Sequence, residues 1–254
     1  MAWNPDTYTQ FKNERFAPFY TLLELIDKKP ALKVVDLGCG TGEQASELGK
    51  LLPGSEILGI DASGEMLNAS KEFEKPGLGF RQMSIESYLK EAPKHDLVFS
   101  NAALQWVPDH EWLLPAIIKT INKGGQFVCQ VPAQHTNVGN RLINEVAARE
   151  PFASKLQNWS RVSSVLPVER YASIMFENHG TRITAMEKIF PLVLESPAAV
   201  YSWLKGTTLI PYFERLPEDL HAKFAEEIEK DLRIYFDRQP VFYPFKRILF
   251  CATF

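Results

Sequence analysis

Cysteine is scarce in this chain, with three residues in 254, at Cys39, Cys129 and Cys251. The number is odd, and each thiol sits in an apolar or glycine-rich run rather than at ligand spacing. That argues against a disulfide framework or a cysteine-built metal site and leads to the expectation of reduced core thiols in a cytoplasmic protein. Histidine is sparse too. His110 and His135 have no third ligand at metal spacing, so no metal is expected. Positive charge is not in excess, since 28 Lys and Arg stand against 31 Asp and Glu for a formal charge of −3. Without a basic cluster there is no electrostatic footprint for duplex nucleic acid, which is not expected as a partner. Apolar runs stay shorter than a membrane span, and the first residues carry neither a cationic start nor an apolar leader, so no membrane association is expected. Internal repeats and low-complexity tracts are absent as well.

What the chain does have is apolar content: 45% of its residues, enough to bury a substantial core. Short apolar runs at Leu32 to Leu37, Ile57 to Ile60, Gly79 to Met83, Leu97 to Ser100 and Gln126 to Val131 read as strands. Helical patterns separate them, among them Tyr20 to Ile26, and Trp112 to Ile121 with a stop at Gly124-Gly125. Strands alternating with helices predict an α/β fold, a mostly parallel sheet with helices on both faces. Past Val131 the rhythm breaks into helices of mixed polarity punctuated by Pro151 and Pro167. A strand at Ile183 to Leu194, helices at Pro197 to Lys205 and Glu218 to Phe236, and a last strand at Phe245 to Phe254 follow. The expected organisation is a single domain over 1–254 with a seven-stranded sheet. A helical cap at about 136–180 lies over the carboxyl edge of the sheet, and further helices occupy about 197–236.

The first strand runs into Asp36-Leu37-Gly38-Cys39-Gly40-Thr41-Gly42. Three glycines at every second position, at a strand-to-helix junction, permit a sharp turn and let a ligand lie against bare backbone; a tight turn needs them for steric reasons alone. The dinucleotide fingerprint places its third glycine where Glu43 stands here, and a carboxylate there would repel a pyrophosphate. A nucleoside without phosphates fits better. Asp61 falls nineteen residues past Gly42, at the tip of the second strand, from which a carboxylate can accept both ribose hydroxyls. It is also placed to cap the next helix, a role open equally to Ser63. In an open α/β sheet ligands sit outside the carboxyl ends of the strands. Gly38 to Gly42, Asp61, Ser84 and the loop from Ser100 to Trp106 are therefore expected to converge.

The glycine motif resembles that of class I S-adenosylmethionine-dependent methyltransferases. Trp3-Asn4-Pro5 with Tyr8, Phe11 and Arg15, then Asn101-Ala102-Ala103-Leu104-Gln105-Trp106-Val107-Pro108-Asp109-His110, then Trp203, Thr208-Leu209 and Pro211, then Pro244-Phe245 and Arg247, resemble the trans-aconitate 2-methyltransferase family. The resemblance implies a Rossmann-like class I methyltransferase fold and methyl transfer from S-adenosyl-L-methionine to a carboxylate oxygen of a small polycarboxylic acid. A carboxylate is already ionised at neutral pH and needs no general base, so positioning suffices and no catalytic side chain is assigned. Cofactor contacts are expected from Asp36, Gly38, Gly40, Gly42, Asp61, Ala62, Met66, Ser84, Ile85, Asn101 and Arg15. Acid contacts are expected from Tyr8, Gln105, Trp106, His110, Arg170 and Arg247, with amide, indole and guanidinium donors to hold carboxylates. Trp106 can equally be a core aromatic under the cap.

The chain departs from the family at Ile210-Pro211, where an arginine precedes the proline, and at Pro132-Ala133, where an aspartate follows it. Ser84-Ile85 replaces an acidic-aliphatic pair at the adenine. Other readings are a methyltransferase for another carboxylate, such as a carrier-linked malonyl group, and a nucleoside-binding regulator without transfer. A nicotinamide oxidoreductase is disfavoured by Glu43.

Overall fold

A computed structural model describes residues 12–206 and 208–254, with side chains from residue 16 onward. Among these residues seven strands form one sheet: β1 (Lys33–Leu37), β2 (Glu56–Asp61), β3 (Leu78–Gln82), β4 (His95–Asn101), β5 (Ile121–Pro132), β6 (Thr181–Leu194) and β7 (Val241–Thr253). The helices are α1 (Lys12–Leu23), α2 (Glu43–Leu51), α3 (Gly64–Ser70), α4 (Ile85–Lys90), α5 (His110–Ile118), α6 (Val138–Ala147), α7 (Phe152–Lys155), α8 (Val168–Glu177), α9 (Pro197–Lys205), α10 (Ile210–Phe213) and α11 (Glu218–Tyr235).

Strand order is β3-β2-β1-β4-β5-β7-β6. β1 to β5 pair in parallel and β7 runs antiparallel to β5. The order reverses direction at β1 and β4, which places the carboxyl ends of β1, β2 and β4 side by side around a topological switch point. Central strands read as unbroken apolar runs because both faces are covered: Val34, Val35, Leu97, Val98, Phe99, Phe127 and Val128 are all buried. Phe19 meets Phe99 edge-on at 6.0 Å, and Tyr171 of α8 stacks on Phe250 at 4.3 Å. The three cysteines are buried free thiols.

Two compact units emerge. Of the described residues, one holds 17–132, 164–188 and 247–254; the other holds 12–16, 133–163 and 189–246, and the division runs through α1, β6 and β7. The second unit has its own core. Phe224, Ile228 and Leu232, spaced by four along α11, are fully buried together with Ile143 and Val146 of α6, Val200 of α9, and Tyr212 and Tyr243. The helical segment anticipated over about 136–180 is thereby divided, since α8 belongs to the sheet unit.

The Gly124-Gly125 pair is not a helix stop. α5 ends at Ile118 with Lys119 as its cap, and the glycines lie inside β5, Gly124 at φ 79. The β4–β5 register shifts nearby, between His95 and Leu97. The apolar run through Ile121 hid the boundary between helix and strand. α1 likewise begins at Lys12, ahead of the expected Tyr20, and ends at Leu23.

At the start of β4, His95 is 2% exposed and shares a 2.9 Å hydrogen bond with the Tyr88 hydroxyl. Burial, then the nearby Lys33 charge, lower its pKa to about 4, with Asp96 opposing. The folded chain therefore refuses a proton that the unfolded chain takes up below about pH 6.5, and stability drains away as pH falls from there towards 4. Melting curves of the wild type and His95→Gln should show the wild type losing about 5 °C relative to the variant between pH 7 and pH 5. A pH-independent difference would show that His95 takes up the proton in place.

Candidate active site

β1 ends at Leu37, and the chain folds back over β2. The backbone N–H groups of Gly38 and Cys39 both donate to Ile60 O, at 2.8 and 2.9 Å, and Gly42 N–H donates to Cys39 O at 3.0 Å. All three glycines have left-handed φ: 80 at Gly38, 56 at Gly40 and 78 at Gly42. Two of them also answer to packing. A Cβ on Gly38 would lie 2.2 Å from Ala103 Cβ, and one on Gly42 would lie 2.7 Å from both Phe80 Cζ and Ser70 Cβ. Gly38 lets the β4 loop close over the turn, while Gly42 lets α2 start hard against β3 and α3.

Asp61 fastens this turn. Its Oδ2 accepts from Gly40 N–H at 2.9 Å and its Oδ1 from Ser63 N–H at 2.8 Å. Ser63 is the cap of α3, its hydroxyl accepting from Met66 N–H at 3.2 Å, which leaves Asp61 committed to the glycine loop. Asp36, one residue from the end of β1, is 2% exposed. Burial, then the Asp61 charge, raise its pKa to about 7. The same surroundings push the Cys39 thiol up, so it stays neutral at physiological pH.

The β4 end supplies the third side. Asn101 Nδ2 donates to Gln44 Oε1 at 2.8 Å, while its Oδ1 is buried without a hydrogen-bond partner among the described residues. Ala102 adopts φ 55 and donates its N–H to Gln130 O at 2.9 Å. Gln105 Nε2 returns to Ala102 O at 2.6 Å, and Gln105 Oε1 is buried without a hydrogen-bond partner among the described residues. Trp106 is 55% exposed, so the core reading of this residue falls.

His110 does not face a ligand. Its ring is 1% exposed, with Nε2 donating to Leu104 O at 2.9 Å and Nδ1 accepting from the Tyr171 hydroxyl at 2.6 Å. Burial lowers its pKa, keeping it neutral. Its role is to hold the Leu104–Trp106 turn from behind, which corrects the expectation of a substrate contact. Arg170 is corrected too, because its guanidinium grips Glu111 through Nε and Nη2 and Glu177 through Nη1, each at 2.7 to 2.8 Å. A guanidinium spent on two carboxylates has no fork left for a third. Ser84 caps α4 by accepting from Ser87 N–H at 3.2 Å, and Ile85 is buried. Arg247 is 7% exposed and donates to Gln130 Oε1 at 3.1 Å. Tyr8 lies outside the described residues, and so does the side chain of Arg15.

A family model described as a methyltransferase domain matches residues 28–180. A trans-aconitate 2-methyltransferase of Deinococcus radiodurans is 39% identical over 259 residues, spanning 100% of this chain and 98% of that one. This chain belongs to the trans-aconitate 2-methyltransferase family. The YcgJ protein of Bacillus subtilis superposes with a TM-score of 0.61 at 15% identity, covering 93% of this chain and 97% of that one. Phosphoethanolamine N-methyltransferase 2 of Haemonchus contortus, solved with S-adenosyl-L-methionine, gives 0.56 at 15% identity over 95% of this chain and 52% of that one. These two likenesses establish the shared fold.

As a member of this family the chain is a methyltransferase, and the regulator and oxidoreductase readings are set aside. What sequence reasoning missed in this methyltransferase is Gln44, the partner of Asn101. The polar face of α2 was the available signal, but solvent-facing residues carry the same signal, and only the 57-residue pairing distinguishes them. Among the described residues no helix is long and apolar enough to cross a membrane.

Proposed function

We propose that this methyltransferase uses S-adenosyl-L-methionine to methylate a carboxylate oxygen of a small polycarboxylic acid, trans-aconitate. The observation that carries the cofactor reading is the run of acceptors at the strand ends: Asp36, Asp61, and the buried unpartnered Oδ1 of Asn101. Acceptors of this kind, two of them carboxylates, fit a ligand that brings ribose hydroxyls, an ammonium and a sulfonium. The substrate class follows from the full-length likeness to a trans-aconitate 2-methyltransferase.

When bound, the cofactor supplies a methyl group already activated on a positively charged sulfur. The protein's part is placement. Asp61 spends two of its acceptor positions on Gly40 and Ser63, which orients it, and keeps the remaining lone pairs for the two ribose hydroxyls. Asn101 Oδ1 would accept from the ammonium of the amino-acid end. Gln105 and Trp106, on a turn buttressed by His110, hold the acceptor carboxylate for in-line attack. The carboxylate enters ionised, so no proton has to be removed and no general base is required.

Two measurements test this. Thermal shifts with S-adenosylhomocysteine, NAD and NADP should show stabilisation by the first alone. Incubation with S-adenosyl-L-methionine and a panel of tri-, di- and monocarboxylic acids should add one methyl mass to trans-aconitate. Stabilisation by NAD alone would overturn the cofactor, and a methyl on another acid but not on trans-aconitate would overturn the substrate. Ile210, at the first position of α10 where the family resemblance led to an arginine, is the reason for the breadth of the panel.

A further inference from the structure

Asn101 is the last residue of β4 and Gln44 the second of α2, both in the sheet unit. They stand 57 positions apart in sequence, yet Asn101 Nδ2 donates to Gln44 Oε1 at 2.8 Å. The backbone on each side of this bond is pinned. Gly42, left-handed at the cap of α2, accepts from Ser46 N–H at 2.9 Å, which fixes where the first side chains of the helix stand. Before Asn101, the Ser100 hydroxyl donates to Leu37 O at 2.8 Å, and after it Ala102 N–H donates to Gln130 O at 2.9 Å. What remains to be set is the orientation of the Asn101 amide.

An asparagine amide ends in an acceptor on one side and a pair of donors on the other, and a half turn about its last bond exchanges them. The end that faces a ligand decides whether an ammonium or a carboxylate is held. With Nδ2 engaged by Gln44, the end left over is Oδ1, buried and without a hydrogen-bond partner among the described residues. The opposite pairing, Gln44 Nε2 donating to Asn101 Oδ1, would use up that acceptor and leave the donors over instead. A buried acceptor without a partner is destabilising, as expected of a group held ready for a donor that the ligand brings.

We infer that Gln44 is a positioning residue: by accepting from Asn101 Nδ2 it turns the Asn101 carbonyl oxygen toward the cofactor's amino-acid end and makes the site selective for a ligand carrying an ammonium there. The inference rests on the reading above, in which S-adenosyl-L-methionine is the methyl donor and its ammonium meets Asn101. Gln44 acts through Asn101 and not through a contact of its own.

The experiment titrates wild type, Gln44→Met, Gln44→Glu and Asn101→Ala with S-adenosylhomocysteine and with 5′-methylthioadenosine, the same nucleoside thioether without the amino-acid end. Gln44→Met is also titrated in an Asn101→Asp background. Methionine keeps the length of Gln44 but lacks its acceptor, so Gln44→Met should weaken S-adenosylhomocysteine by roughly tenfold and leave 5′-methylthioadenosine unchanged. Glutamate accepts and cannot donate, so Gln44→Glu should bind at least as tightly as wild type. In the Asn101→Asp background both side-chain oxygens accept, orientation no longer matters, and Gln44→Met should change affinity by less than about twofold. In turnover, Gln44→Met should raise KM for S-adenosyl-L-methionine with kcat nearly constant. An equal loss for both ligands, or the full loss in the Asn101→Asp background, would show that Gln44 acts on the glycine turn and would overturn the inference. Gln44→Glu binding as weakly as Asn101→Ala would overturn it too. Wild-type affinity in Gln44→Met beside a weakened Asn101→Ala would overturn it while the cofactor reading stands. Wild-type affinity in Asn101→Ala would refute the Asn101 contact and the inference with it, and a wild type that binds no S-adenosylhomocysteine would refute the cofactor reading itself.

Discussion

Asp61→Ala raises the dissociation constant for S-adenosylhomocysteine by roughly 100-fold, about 3 kcal/mol, and leaves the protein folded. Two effects add. The variant loses the acceptor proposed for the ribose hydroxyls, and it releases Gly40 N–H and Ser63 N–H, so the glycine turn loses the tie that holds it to the tip of β2. The fold survives because the turn keeps its backbone bonds to Ile60 O, and Ser63 still caps α3. Asp61→Asn separates the effects. Its amide oxygen retains one backbone N–H while its amide nitrogen cannot accept a hydroxyl, so its affinity falls between those of the wild type and the alanine variant. Calorimetric titration checks both, and wild-type affinity in Asp61→Ala removes this carboxylate from the site.

Asp36→Asn exchanges function for stability. The Asp36 carboxyl, buried first and then repelled by Asp61, titrates at about 7 in the folded protein against 3.8 for an unperturbed aspartate. A raised carboxylate pKa means the folded chain binds a proton that the unfolded chain has released, so stability falls as pH climbs from about 4 through about 7. Above pH 7 the whole penalty is present, about 4 kcal/mol from roughly three pKa units. Asparagine carries no such penalty. The variant should melt about 10 °C above the wild type at pH 8, and the gap should close by pH 5. Its affinity for S-adenosylhomocysteine should fall by at least about tenfold at pH 8, because the ligand's ammonium no longer meets a second carboxylate. A constant gap in melting temperature across that range would refute the titration, and an unchanged affinity would refute the role in binding.

Local pattern carried a good deal of this molecule. The runs at Val34, Ile57, Leu97 and Phe127 are strands because a strand buried on both faces is apolar at every position. The cradle was legible for the same reason: Asp36 to Gly42 is contiguous, and Asp61 follows at the distance one helix and one strand require. Boundaries were less legible. The apolar residues of α5 run unbroken into β5 through Ile121, and nothing in that stretch marks where hydrogen bonds within the chain give way to pairing with His95.

Side-chain commitments were the least legible. His110 and Arg170 have the chemistry of substrate ligands, and the sequence offers no sign that Tyr171 and Leu104 occupy the first, or that Glu111 and Glu177 occupy the second. Nor does it show Ser163 reaching Gln134 across 29 residues or Tyr212 reaching Asn144 across 68.

The sequence by itself determined the parallel sheet, the glycine turn and its acidic partner, and through them the kind of ligand proposed for the strand ends. Tertiary structure alone decided which donors and acceptors remain available once the protein has satisfied its own. A residue type states what a group can bind, but burial and distant partners decide whether that capacity has already been used, and neither is encoded in the residues next to it along the chain.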